Sequence, residues 1–384
     1  MNAPQDWDPR APEVLADPIA AYDRMRGRCP VAHSDYLHHS VFRHADVMRI
    51  LLDHKTFSSQ ASRHVSVPNS MDPPEHTAYR QLIEPYFGPD RMAAFEPVCR
   101  RLCADLVAAL PRDERVEIMF GLAHPFALRM QCAFLGWPDS LHEPLRQGIH
   151  KKNVATLSGD LHAIAAVATE FDETIRALLK IRRDAGDRAP DDVTTRLLRE
   201  TVNGRPLAED EIVSILRNWT VGELGTMASS VGIIAHYLAT HPDLQNRLRR
   251  HPELVRSAND EILRIHAPLI ANRRATTCPV RLGGTQIPAG ERVTLMWASA
   301  NRDEAVFGDP DEFRLDRDPS LNLLYGAGIH ACPGAPLARL EIEAMIQALL
   351  AGTRALEPVP DQPPMPAIYP ASGYRQAMLQ LRHT

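Results

Sequence analysis

The stretch YGAGIHACPG, Tyr325 to Gly334, sets one cysteine among small residues, with a histidine two places before it. A thiolate is both a nucleophile and a metal ligand, and the free N–H groups of a following helix stabilise it. The next residues, APLARLEIEAMIQALL, predict such a helix at once. Gly326, Gly328 and Gly334 let the backbone turn tightly and approach a partner closely, against the entropic cost of ordering glycine. A zinc or redox-thiol site would use His330 and Cys332 too. It would lack further ligands at workable spacing, and the chain has no CxxC. Alone, a cysteine in such a loop reads as a buried bystander, and what repays the exposed thiol and the ordered glycines is set by its surroundings.

A second feature lies well upstream. The proline-free window between Pro206 and Pro242 reads as one helix of roughly 30 residues, about 45 Å long. Its middle, NWTVGELGTMASSVGIIAHYL, is apolar nearly all round, as in a helix that crosses a core. Gly222 and Gly225 interrupt it, each at about 1 kcal/mol relative to alanine. With Thr226 they share one face, at spacing i, i+3 and i+4. Either something flat lies against that face, or two helices pack closely there.

The elements that must position these residues are mostly helical. PIAAYDRMRG and HADVMRILLDH predict short amphipathic helices flanking a strand pair around SVFR. DRMAAFEPVCRRLCADLVAAL and DLHAIAAVATEFDETIRALLKIRRDAG carry apolar residues at helical spacing. Between them SLHEPLRQGIHKKNVATLSGD is polar and weakly patterned, which predicts a mobile connection or lid. Strand-like alternation is confined to CPVRLGGTQIPAGERVTLMW and YRQAMLQL. No repeat, low-complexity linker or clean domain boundary divides the chain.

The totals agree with one globular unit. The chain has 384 residues, 44% hydrophobic and 24% charged, and its net charge of −5 makes nucleic acid an unexpected partner. No apolar run suits a membrane span and the start does not resemble a signal peptide, so a cytoplasmic protein is expected. The six cysteines show no disulfide framework; Cys99 and Cys103, one helical turn apart, read as a structural pair.

Further stretches fall in a telling order. MDPPEHTAYRQLIEPYF carries His76 and Arg80 one turn apart, EILR carries Glu261 and Arg264, and NRDEAVFGDPDEFRLDR carries Arg302 and Phe313. With the cysteine loop and the glycine-bearing helix, these resemble the cytochrome P450 family across most of the chain, from about residue 40 to 350. The resemblance implies a mainly α, helix-rich triangular unit with a small β portion and a long central helix over haem b. It implies one such domain over residues 1–384, with no fused reductase. Cys332 would be the axial thiolate, whose electron donation favours O–O cleavage. His76, Arg80, Arg274 and His330 would bind the haem propionates, with Arg273 competing with Arg274. Glu261, Arg264 and Arg302 would be structural.

The implied reaction is monooxygenation, placing one atom of O₂ in a substrate and the other in water. It needs electrons from separate partners, most simply a ferredoxin or flavodoxin with its reductase; Arg91, Arg100 and Arg101 could meet an acidic donor. It also needs protons, and here the sequence departs from the family. The family's central helix usually reads Ala/Gly-Gly-x-Asp/Glu-Thr, whereas residues 222–226 read GELGT. Thr226 is present, Gly225 stands at the acid position, and Glu223 could supply the missing acid from one turn away. The segment NWTVGELGT is similar to that of enzymes that O-demethylate small methoxylated aromatics of the guaiacol and syringol type, releasing formaldehyde. The alternatives are a tailoring hydroxylase of a terpenoid or polyketide, and a haem-thiolate sensor without catalysis. Val221, Gly225, Ile270 and Tyr369 are the expected contacts for a small apolar or aromatic substrate.

Overall fold

The computed structural model describes residues 6–61 and 66–383. Ten helices carry the architecture: α1 (Pro18–Arg28), α2 (His44–Leu52), α3 (Glu75–Ile83), α4 (Pro89–Ala108), α5 (His124–Leu135), α6 (His142–Ser158), α7 (Leu161–Ala185), α8 (Glu209–Thr240), α9 (Val255–His266) and α10 (Ala335–Gly352). The window free of proline is indeed one helix: α8 has 32 residues and starts on a capping arrangement in which Glu211 accepts from the Ala208 N–H. It runs through the middle of the protein against α5, α7, α9 and α10, which explains its apolar circumference.

The strands form five small sheets among the described residues, and the largest has five strands. β1 (Val31–Ser34), β2 (His38–Val41), β3 (Phe57–Ser58), β4 (Ala271–Thr276) and β5 (Arg292–Met296) lie in the order β1-β2-β5-β4-β3. β5 runs parallel to β2 and antiparallel to β4, with Val293 opposite both His39 and Arg274. The strand pair expected around SVFR sits slightly earlier, and only Ser40 and Val41 of that stretch belong to a strand.

The polar stretch expected to be a mobile connection is α6, a helix of 17 residues ended by Gly159 in the left-handed region. Its weak pattern has a physical cause. One side packs on α7, and several residues of another side line the central cavity, which tolerates polar groups. Cys99 and Cys103 are buried, free thiols in contact on α4. Among the described residues no helix is long and apolar enough to cross a membrane.

Candidate active site

The loop of Tyr325–Gly334 is closed by the Cys332 N–H, which donates to the Tyr325 carbonyl at 2.8 Å. Gly328 has a φ of +70°, and a Cβ there would lie 2.3 Å from the Leu51 carbonyl oxygen of α2, so only glycine fits the seam. Cys332 lines a cavity of about 830 Å³. Burial pushes its thiol up, while N–H groups of Gly334 and Ala335 at the start of α10 pull it down. A cation at the sulfur would tip that balance to the thiolate.

Beside the cysteine, basic groups converge, with Asp72 the acid that acts on His76, Arg274 and His330. The rings of His76 and His330 lie 4.1 Å apart, and His330 Nε2 meets the Ser59 hydroxyl at 2.8 Å. Among the described residues His76 Nε2 has no partner although it is buried. Arg274, also buried, spends a guanidinium N–H on the neighbouring Arg273 carbonyl at 2.7 Å. Burial, then His76 and Arg274, push His330 down to about 3. Arg80 sits one turn from His76 and pairs with Glu84 at 3.0 Å. Arg274 and His330 line the cavity, whereas Arg273, His76 and Arg80 do not. An orphaned imidazole and a buried guanidinium are what two buried carboxylates need as partners. The residues present thus fit haem b, with a thiol for the iron and a basic cluster for the propionates.

The glycine-bearing face of α8 looks onto the same cavity. A Cβ at Gly222 or at Gly225 would meet nothing within 4 Å, whereas one at Gly232 would strike Met119 Sδ at 2.3 Å. Gly232 is therefore the glycine of close packing, and Gly222 and Gly225 leave room for a bulky group. Thr226 Oγ1 donates to the Gly222 carbonyl at 2.6 Å. Val221, Gly225 and Tyr369 line the cavity. Ile270 does not: it is buried in a separate cluster with Ala267 and Met296, and Pro268 and Leu269 take the cavity-facing places.

The carboxyl of Glu223 does not turn to Thr226. It faces Glu341 of α10, and burial raises both carboxyls above the usual range, Glu341 strongly. Glu341 is fully buried, and among the described residues neither of its oxygens, nor Glu223 Oε1, meets a donor. Two carboxylates without a donor cannot both stay ionised, so the pair holds a proton. The sequence carries a signal for this: Glu341 falls on the apolar face of α10 set by Leu337, Leu340, Ala344 and Met345. Because folding raises these pKa values, the folded state binds protons more tightly than the unfolded chain. Stability is then fullest below the ordinary carboxylate range and falls as pH rises through the folded pKa. Glu341→Gln is expected to raise the melting temperature by about 2–4 °C at pH 8 and by less at pH 5. A gain as large at pH 5 as at pH 8 would contradict the shared proton.

Glu261, Arg264 and Arg302 are all buried and held in ion pairs. Glu261 receives Arg264 Nε at 2.8 Å and Arg317 Nε at 2.9 Å. Arg302 instead pairs with Asp23 of α1 at 2.9 Å and with Asp311 at 2.8 Å. Arg302, Arg314 and Arg317 share one irregular segment, and no periodicity there tells which would reach Glu261; the turn at Phe307–Asp309, whose carbonyls Arg317 holds, decides it. Phe313 packs 6.1 Å from the Tyr237 ring. Of the surface arginines, Arg100 is taken by Glu96 and Arg91 lies over the Tyr86 ring, while Arg101 is exposed.

Comparison with known proteins agrees with this geometry. The family model described as Cytochrome P450 matches residues 146–369. The chain is 30% identical over 370 residues to beta-dihydromenaquinone-9 omega-hydroxylase of Mycobacterium tuberculosis, covering 94% of this chain and 75% of that one. It is 30% identical over 353 residues to the erythromycin C-12 hydroxylase of Saccharopolyspora erythraea, covering 88% of each. The structure of a mutant of P450 EryK in complex with erythromycin B superposes with a TM-score of 0.87 at 28% identity, over 96% of this chain and 97% of that one. A thiol loop seated on α2, a glycine face open above it and likeness along nearly the whole chain thus lead to one conclusion: the chain belongs to the cytochrome P450 family of haem b monooxygenases.

Proposed function

We propose that this monooxygenase hydroxylates an apolar natural product of terpenoid or polyketide type. The observation that carries the reading is the reach of the cavity. Apart from the part beside Cys332 and the open face of α8 that haem b would fill, its lining includes Leu157 of α6 and Ile368–Ser372, Tyr374 and Arg375 near the C-terminus, more than a single methoxylated ring would contact. The relatives point the same way, since two of them are named as hydroxylases of a menaquinone and of erythromycin. O-demethylation of guaiacol or syringol rests on the likeness of one helical segment and becomes the competing outcome of the test.

When bound, haem b supplies the activation of O₂. In this reading Cys332 would ligate its iron, and His76, Arg80, Arg274 and His330 would hold its propionates. The open positions Gly222 and Gly225 would leave room for the ring and for substrate. The Thr226 hydroxyl, held to the Gly222 carbonyl, is the polar group that passes protons at this face, with Glu223 withdrawn to Glu341. Electrons come from a ferredoxin or flavodoxin with its reductase, as in bacterial members of the family.

The test is a panel of terpenoids, macrolide aglycones, guaiacol and syringol offered to the holoprotein with a ferredoxin and its reductase. A spin-state shift and a product with one added oxygen atom are expected from the larger compounds. Product per O₂ consumed is expected to drop several-fold in Thr226→Ala. Efficient formaldehyde release from guaiacol, with no product from the larger compounds, would establish the other reading.

A further inference from the structure

The cavity carries a charge asymmetry that oxygen chemistry at Cys332 does not use. Glu223 is the only acid among the described residues that line it, and its carboxyl faces Glu341. Four cationic side chains line it: Arg146, Lys152, Arg274 and Arg375. Arg274 belongs to the basic cluster beside Cys332. Arg146 is held at both ends by Glu143, at 2.6 and 2.8 Å, so its charge is met.

Lys152 is different. It lies on α6, and its neighbour Lys151 turns outward to pair with Glu170 of α7 at 2.6 Å. Lys152 is on the cavity side, with Ile149 and Asn153. Burial alone pushes its ammonium below the ordinary lysine range; no acid among the described residues acts on it. Arg375, across the C-terminal segment, meets no carboxylate among the described residues either, and one of its N–H groups lies 3.8 Å from Met365 Sδ. An ammonium that faces an apolar cavity with no counter-charge among the described residues is open to a ligand that supplies the charge. The rest of the lining gives the ligand's other half. Phe120, Val154, Leu269 and Ile368, all well exposed, line the same cavity, which suits an apolar body.

We infer that the substrate is an apolar carboxylic acid whose carboxylate is bound by Lys152 of α6, which makes this lysine a specificity-determining residue. A carboxylate is favoured over a phosphate ester because Lys152 offers one charge at this place, with Arg375 at the edge. The inference rests on the monooxygenase reading of the cavity and names the chemical class of its substrate.

Matched pairs test it: dodecanoic acid and methyl dodecanoate, abietic acid and methyl abietate, titrated into the ferric holoprotein and followed by the spin-state shift and by equilibrium dialysis. At least one acid is expected to bind about tenfold more tightly than its ester, the scale of one charge-assisted hydrogen bond. Lys152→Gln is expected to abolish that preference and leave ester binding unchanged, while Lys152→Arg keeps it. The ferrous–carbon monoxide spectrum of each variant verifies that the haem pocket is intact. A panel in which no acid outbinds its ester, or a preference that survives in Lys152→Gln, overturns the inference. Acid-selective binding without an oxygenated product would leave the inference standing and count against the hydroxylase reading, so the two fail separately.

Discussion

Replacing Cys332 with histidine is expected to abolish the strongly red-shifted Soret band of the ferrous–carbon monoxide complex and to lower product formation by more than about a hundredfold. The reason is electronic. A thiolate ligand would donate electron density that favours O–O cleavage, and a neutral imidazole is the weaker donor. Losing an outer partner of a metal ligand already costs on the order of 10–100-fold, and losing the ligand itself removes more. The geometry singles out this cysteine. Cys332 alone of the six lines the cavity, while Cys99, Cys103 and Cys132 are buried in the core and Cys278 is exposed elsewhere. Cys278→Ser is accordingly expected to keep the wild-type spectrum and rate. A red-shifted band retained in Cys332→His would remove the assignment at a stroke.

The sequence was most informative where backbone constraints are local. The loop glycines, the proline-free window and the order of the helices are consequences of short-range rules, and α8 and α10 lie where those rules place them. It was least informative where a side chain must choose between distant partners. Glu223 and Thr226 share a helix turn, yet nothing local says that Glu341, far along the chain, waits beside Glu223. Ile270 is apolar and near the right place, but a strand start turns it inward and leaves Leu269 to the cavity. Lys152 is the sharpest example. In a polar, weakly patterned stretch, adjacent lysines look interchangeable, and only packing against α7 sends one to Glu170 and the other into the cavity.

The buried charge cluster leads to the other large effect. Glu261→Ala is expected to leave no folded holoprotein, because Arg264 is only 1% exposed and would lose its bidentate partner. Breaking a buried pair from one side costs about 3–5 kcal/mol, against a typical total stability of about 5–15 kcal/mol. The cluster also reaches the site through named bonds. Arg264 donates to the Asn301 carbonyl at 2.8 Å, and the Asn301 side chain accepts from the Leu323 N–H at 2.8 Å. Leu323 begins the turn that ends at Tyr325, whose carbonyl receives the Cys332 N–H. Arg339 of α10 adds a second tie, pairing with Asp260 at 3.0 Å and lying over the Tyr325 ring. Removing Glu261 thus frees the backbone that carries the thiol. Arg317→Ala, which leaves Arg264 and Glu261 paired, is expected to cost only about 1–3 kcal/mol and to give folded protein with the red-shifted band at a lower melting temperature. Thermal melts followed by circular dichroism, with the carbon monoxide spectrum alongside, compare the two. If Glu261→Ala melted within a few degrees of wild type, the thiol loop would have to be held by the Asp260–Arg339 tie alone.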